Sequence, residues 1–318
     1  MHYDVFNGDA DGIIALLQCR WAEPCEGKLI TGVKRNIQLL QQVPDSATSV
    51  TVLDISLEKN RQALDRLLDT GCKVFYCDHH RAGELPQHQN LEALIDLSAE
   101  TCTSLLINQR LGGRYVHWAI AAAFGDNLLA VGHQMAKEQG LSEEQTAFLC
   151  ELGTLINYNG YGAKEADLHF PPAELYQTLM AYPDPFTLQQ EPNSPYFILK
   201  AGFEADQQQV SAVSAYFETN ACRVFCLPEA NWARRISGVF GNALANEDSA
   251  KAHAVLTLNP DGKSYTVSVR APLQNRTGAD EICSRFPTGG GRQGAAGINN
   301  LPLAQLDEFV AQFNQFYA

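Results

Sequence analysis

The sequence is short of positive charge: 23 Lys and Arg stand against 36 Asp and Glu, a formal net charge of -13 over 318 residues. A surface of that sign repels a polyanion, so long DNA or RNA is not an expected partner, and any nucleotide must be reached through a local basic patch. Long apolar runs are missing too. Nothing approaches the ~18 consecutive apolar residues needed to span a bilayer, and the amino terminus has no basic segment ahead of an apolar core. A cytoplasmic protein without membrane contact is expected. There is no C-x-x-C pair, and Cys222 and Cys226 have no His pair nearby, which argues against structural zinc. The nine cysteines are scattered, mostly inside apolar runs such as those around Cys77, Cys102, Cys150 and Cys226, and read as reduced core thiols.

What is present is ordinary globular material, 45% hydrophobic and 19% charged, in a chain long enough for two domains with cores of their own. Up to about residue 130, short apolar runs alternate with amphipathic stretches, the pattern of a parallel sheet with helices on both faces. Tyr3–Phe6, Lys28–Val33, Val50–Leu53 and Lys73–Cys77 read as strands, and Leu57–Leu68 as a helix capped by Ser56. Another helix contains Ser104–Ile107, and helices then dominate up to Leu155. Residues 156–176, with Asn157, Tyr158, Asn159, Gly160, Tyr161 and Gly162, read as a loop whose Tyr158 and Tyr161 are candidate stacking platforms for a base. The prolines at 183, 185, 192 and 195 suggest a linker over 183–198, between a first domain of residues 1–182 and a second of 199–318. In the second, a helix over Leu199–Glu218 is followed by a strand Cys222–Leu227. A hairpin then joins Ala252–Leu258 to Ser264–Val269 across Asn259-Pro260-Asp261-Gly262, and a helix Ala279–Phe286 precedes three glycines. This smaller mixed α/β domain is expected to face the first across a cleft.

The chemistry concentrates where strands end. Asn7-Gly8-Asp9-Ala10-Asp11-Gly12 follows the first strand and opens the first helix; alone, it reads equally well as a metal-binding turn or as an aspartate cap with turn glycines. Val50–Leu53 then ends on Asp54, Lys73–Cys77 on Asp78-His79-His80, and the apolar run Ala121–Phe124 is followed by Gly125-Asp126. Parallel strands bring such ends to one edge, where clustered carboxylates repel unless cations neutralise them. Oxygen donors with an imidazole suit manganese or magnesium better than zinc.

With these motifs in this order, the sequence resembles the DHH phosphoesterase family: Asn7–Gly12, Asp54, Asp78-His79-His80 and Asp126. Gly289-Gly290-Gly291-Arg292-Gln293-Gly294-Ala295-Ala296-Gly297 resembles the signature of its C-terminal DHH-associated domain. The resemblance spans nearly the whole chain. It departs at Asn7, where a carboxylate is usual in exonuclease members, and at Arg292, where most associated domains carry His. It implies a phosphodiesterase with two divalent ions, Mn2+ first and Mg2+ next, held by Asn7, Asp9, Asp11, Asp54, His79 and Asp126, with Asp54 as the bridge. Asp54, Asp78, His79 and His80 form the expected catalytic set, with Asp78 orienting His79, although His79 and His80 could exchange roles. Arg270, Gly289, Gly290, Gly291 and Arg292 are expected to hold a substrate phosphate. Within the family the likeness is nearest to the type acting on the linear dinucleotide pGpG, a product of cyclic di-GMP turnover. A broader oligoribonuclease, a 3',5'-bisphosphate nucleotidase, a cyclic-dinucleotide phosphodiesterase and a catalytically silent nucleotide sensor are the alternatives, and a homodimer is left open.

Overall fold

A computed structural model describes all residues, 1–318. The chain divides into two units, Met1–Gly202 and Phe203–Ala318.

In the first unit the chain runs β1 (His2–Phe6), α1 (Ala10–Ala22), β2 (Gly27–Ile30), β3 (Ser49–Leu53), α2 (Leu57–Asp69), β4 (Lys73–Asp78) and β5 (Leu91–Ile95). Helices α3 (Thr103–Arg110), α4 (Val116–Gly125), α5 (Leu129–Glu138), α6 (Glu143–Asn159), α7 (Pro172–Leu179) and α8 (Pro195–Ser211) follow. The five strands form one parallel sheet in the order β2-β1-β3-β4-β5. Alternation assigns the faces. Tyr3, Val5, Val50, Val52, Val74 and Tyr76 pack in one core with Leu57, Leu64, Leu67 and Leu68 of α2. The intervening residues turn to the opposite face, where α1 and α3 lie, with Cys77 Sγ against the Thr103 carbonyl and the Phe6 ring 5.7 Å from that of Tyr176. The expected parallel sheet with helices on both faces is what the chain forms.

The second unit holds β6 (Phe217–Glu218), β7 (Cys222–Leu227), α9 (Asn231–Glu247), β8 (Ala252–Leu258), β9 (Ser264–Arg270), α10 (Ala279–Cys283), β10 (Gly289–Gly291), β11 (Ala295–Pro302) and α11 (Leu306–Tyr317). Its six-stranded sheet, order β10-β11-β9-β8-β7-β6, is antiparallel except for the β7/β8 pair. One face packs on α10 and on Phe309 and Phe313 of α11; α9 covers the other.

Two expectations need correction. Residues 156–159 are the last turn of helix α6, because Tyr158, Asn157 and Asn159 are buried and packed there rather than exposed in a loop. Asn159 Oδ1 accepts from the His169 and Phe170 amides, so the amide side chain works as a brace for the chain that follows. The stretch 183–198, expected as the linker, holds a 3-10 turn over Pro185–Gln190 and buries Leu188 and Tyr196, and the boundary between units falls after Gly202, inside α8. The three glycines form edge strand β10. All nine cysteines are free, and no helix is long and apolar enough to cross a membrane.

Candidate metal centre

The site lies at the carboxyl ends of β1, β3 and β4. Asn7 continues the β1 ladder through its amide to the Leu53 carbonyl (3.2 Å), and Asp54 continues β3 to the Cys77 carbonyl (3.1 Å), so adjacent strands set these side chains side by side. Gly8 and Gly12 make the first turn possible: a Cβ at Gly8 would meet the Gly32 carbonyl at 1.9 Å and one at Gly12 the Asn7 carbonyl at 2.2 Å. Asp9 is indeed the cap of α1, its Oδ1 accepting from the Gly12 amide at 3.1 Å, and its Oδ2 remains for a cation. Asp11 caps a different helix, accepting from the Thr103 and Ser104 amides of α3, each at 2.7 Å. Asp54 sits in the left-handed region (φ 58), a conformation that costs most residues ~1–2 kcal/mol and Asp or Asn less. Asp126, expected from an apolar run, ends helix α4 instead of a strand. A carboxylate there faces the negative end of the helix dipole, which adds to the demand for a cation.

His79 organises the cluster. Its Nδ1 lies 3.0 Å from the Thr101 carbonyl and so carries the proton, which leaves the Nε2 lone pair facing Asp54 Oδ1 (3.4 Å), Asp11 Oδ2 (3.8 Å) and Asp126 Oδ2 (3.9 Å). Asp78 does not orient His79, as one expectation had it; its Oδ1 holds His80 Nδ1 at 2.7 Å, and His79 is held by the main chain. His80 Nδ1 also stands 3.7 Å from Asp54 Oδ1, and its side chain is 30% exposed. Asp54, His79 and His80 alone place one ligand atom each within 4.8 Å of one another.

Electrostatically the cluster is incomplete. Burial, and then Asp9, Asp11, Asp78 and Asp126, push the Asp54 carboxyl well above the usual carboxylate range. Burial also works against the Asp9 charge, but the Lys34 ammonium and the Gly12 amide overcome it and hold its pKa down to about 2. Lys34, which the sequence reading missed, donates from Nζ to Asp9 Oδ2 at 2.5 Å and to Asn157 Oδ1 at 3.1 Å. The signal was there: Lys34-Arg35 follows β2, the strand whose end carries bases where its neighbours carry acids. Two buried oxygens, Asn7 Oδ1 and Asp78 Oδ2, have no hydrogen-bond partner. Such atoms are costly unless something accepts their lone pairs. Hard oxygens, one imidazole nitrogen and orphaned acceptors together fit a divalent cation.

Tyr158 is corrected: it is fully buried, its hydroxyl 2.8 Å from His169 Nε2, and offers no ring face to a base. Tyr161 is 9% exposed and lies under the Lys34 ammonium. In the second unit, Arg270 and Arg292 share a neighbourhood through Ala295, which pairs with Arg270 across β9/β11 and exchanges backbone bonds with Arg292. Arg270 is held by Asn242 Oδ1 (2.7 Å), Ser268 Oγ (2.9 Å) and the Val269 carbonyl (3.1 Å). Gly289 and Gly291 are required by the packing of β10: a Cβ would meet the Cys283 carbonyl at 1.8 Å or the Ala296 Cα at 2.5 Å.

No protein-family model matches the sequence, and no curated protein matches it. Among solved structures, the exonuclease RecJ bound to manganese superposes with a TM-score of 0.61 at 15% identity, covering 99% of this chain and 89% of that one. The chain has the RecJ-type DHH fold. RecJ from Thermus thermophilus in complex with Mn2+ matches with a TM-score of 0.56 at 15% identity, over 99% of this chain but only 52% of that longer one. The pGpG-specific phosphodiesterase PggH from Vibrio cholerae also matches with a TM-score of 0.56, at 12% identity, over 100% of this chain and 99% of that one. The DHH-type fold expected from the motifs is therefore present over essentially the whole chain, and the candidate metal centre occupies the strand ends of its first unit.

Proposed function

We propose that the protein is a metal-dependent phosphodiesterase that hydrolyses short, 5'-phosphorylated linear dinucleotides, with pGpG as the first substrate to test. The observation that carries this reading is the convergence of Asp11, Asp54 and Asp126 on the lone pair of His79 Nε2, beside the orphaned Asn7 Oδ1. Asn7, Asp9, Asp11, Asp54, His79 and Asp126 would hold one or two divalent ions, Mn2+ or Mg2+. Bound there, the ions supply Lewis-acid activation of water and charge neutralisation for in-line attack at phosphorus.

The chain's own groups do the rest. Thr101 fixes the His79 tautomer, and α3 fixes Asp11, so the ligand set is held by main chain rather than by mobile side chains. His80, with Nδ1 on Asp78 and a partly exposed ring, is the group suited to give the leaving 3' oxygen its proton. A substrate phosphate is assigned to the second unit. Arg292 and Ala295 form a doubly bonded pair, so alternation along the ladder leaves the Gly291 amide on the open side of edge strand β10. That amide, with Arg292 and Arg270, suits an anion. The net charge of -13 favours a short substrate over a polymer, and the full-length likeness to PggH supports the choice of pGpG.

The test is hydrolysis, with manganese, of labelled RNAs of two to ten nucleotides and of cyclic dinucleotides. Turnover confined to 5'-phosphorylated dinucleotides is expected. Equal cleavage at every length would replace the reading with a general oligoribonuclease, and binding without turnover with a sensor.

A further inference from the structure

Lys34 is placed with unusual care for a residue outside every motif. Its backbone amide donates to the Gly160 carbonyl at 2.8 Å, and its own carbonyl accepts from Asn7 Nδ2 at 3.2 Å. Its ammonium reaches Asp9 Oδ2 and Asn157 Oδ1 and lies 5.4 Å above the centre of the Tyr161 ring, with the side chain 25% exposed. The lysine is thus clamped at both ends beside the neutral Asn7, on the Asp9 side of the cluster. At His79 the balance is the reverse: three carboxylates converge without an ion-pair contact from lysine or arginine, and Lys34 acts on Asp126 only through space.

An ammonium at hydrogen-bond distance uses one Asp9 lone pair and offsets its charge. A divalent ion that takes Asp9 Oδ2 must displace it, and then meets a like charge a few ångströms away. Asn7, supplying an oxygen without a charge, does not restore the balance. We propose that the two ion positions are unequal: Lys34 is a fixed counter-cation on the Asn7/Asp9 side, so one divalent ion binds tightly among Asp11, Asp54, His79 and Asp126 and a second binds weakly, in competition with the ammonium. Lys34 acts as a positioning residue that sets ion stoichiometry. The proposal rests on the metal-dependent reading above.

The experiment is equilibrium dialysis of the full-length protein against Mn2+, read in parallel by electron paramagnetic resonance. The wild type should take one ion, with the six-line spectrum of an isolated Mn2+, before a second enters at about tenfold or more higher concentration. Lys34→Met, similar in length and uncharged, should tighten the second ion by about tenfold and bring in a spin-coupled spectrum at correspondingly lower Mn2+. Lys34→Arg should keep the wild-type order. Two ions binding to the wild type with similar constants would overturn the proposal while leaving metal-dependent hydrolysis intact, and so would a second constant unmoved by Lys34→Met. No bound ion and no Mn2+-dependent turnover in the wild type would overturn both readings. The wild-type titration needs no variant, so a poorly folded mutant cannot stall the test.

Discussion

The two ends of the first unit's parallel sheet bury the same kind of group and treat it in opposite ways. At the amino end, Asp4 is buried on β1 but fully matched: Arg20 Nη2 and Nε donate at 2.5 and 3.1 Å, and His2 Nε2 lies 3.0 Å away. Arg20 also donates to Thr51 Oγ1 at 3.0 Å. Burial works against the Asp4 charge, yet the His2 and Arg20 hydrogen bonds outweigh it and its carboxyl lies below the usual range. At the other end of the same strands, burial pushes the Asp54 carboxyl well up, and its carboxylate neighbours add to the push where guanidinium groups would oppose it. The fold can build a buried counter-ion where it needs one. Its failure to complete the set at the carboxyl end fits a proposed site for cations from outside.

The largest break in this contrast is expected from Asp54→Asn. Asn tolerates the left-handed backbone of this position as Asp does, so the substitution removes charge without adding strain. Loss of a shared anionic ligand worth about 4 kcal/mol in the transition state would lower kcat by roughly a thousandfold; steady-state kinetics on pGpG measure it. Next, Arg20→Met should strand Asp4 at the matched end and cost about 3–5 kcal/mol of stability in urea unfolding. Its Mn2+ affinity should stay at the wild-type value, since the candidate ion-binding residues lie at the opposite end of the strands. A weakened Mn2+ affinity in this variant would mean that the two ends are not independent.

A smaller effect sharpens the comparison with the second unit, which pairs its buried Asp206 with Arg235 but also buries a histidine without a charged partner. His253 is fully buried on β8, with Nε2 3.1 Å from the Asp248 carbonyl and Nδ1 without a partner. Burial lowers its pKa below the ordinary 6.5. Below that pH the unfolded chain binds a proton that the folded chain refuses. Stability is therefore full above about pH 6.5 and falls as the pH drops from there through the folded pKa, with a slope of at most ~1.4 kcal/mol per pH unit. Thermal melts between pH 7 and 5 should show this slope in the wild type and a shallower one in His253→Gln.

The candidate ligands were legible because parallel strands with short apolar runs put their following residues on one edge, so Asn7, Asp9, Asp54 and Asp78-His79-His80 declared themselves by position. Asp126 was legible as the end of an apolar run but not as a helix end, since a run of alanines and Phe124 fits either element. Lys34 left only a weak mark, as a base in the loop after edge strand β2, and its partner Asn157 comes from α6, more than a hundred residues away. Tyr158 misled because Asn, Tyr and Gly near a helix end mimic loop composition; the interhelical packing that buries them leaves no local mark. The glycines of β10 were expected to hold a substrate phosphate; that Gly289 and Gly291 are also needed for close backbone approach within a hairpin follows only from the pairing of β10 with β11.

The most direct measurement is the melting temperature of wild type and Asp54→Asn, each with chelator and with Mn2+. An ion at about a hundred times its dissociation constant adds roughly 2.7 kcal/mol, or roughly 5–10 °C in a unit of this size. The wild type should show that gain. Asp54→Asn should melt no lower than the wild type in chelator, because a repelled buried carboxylate is gone, and should gain little from Mn2+. A wild type indifferent to Mn2+, or a variant that gains as much as the wild type, would contradict the assignment of the carboxyl edge as a metal centre.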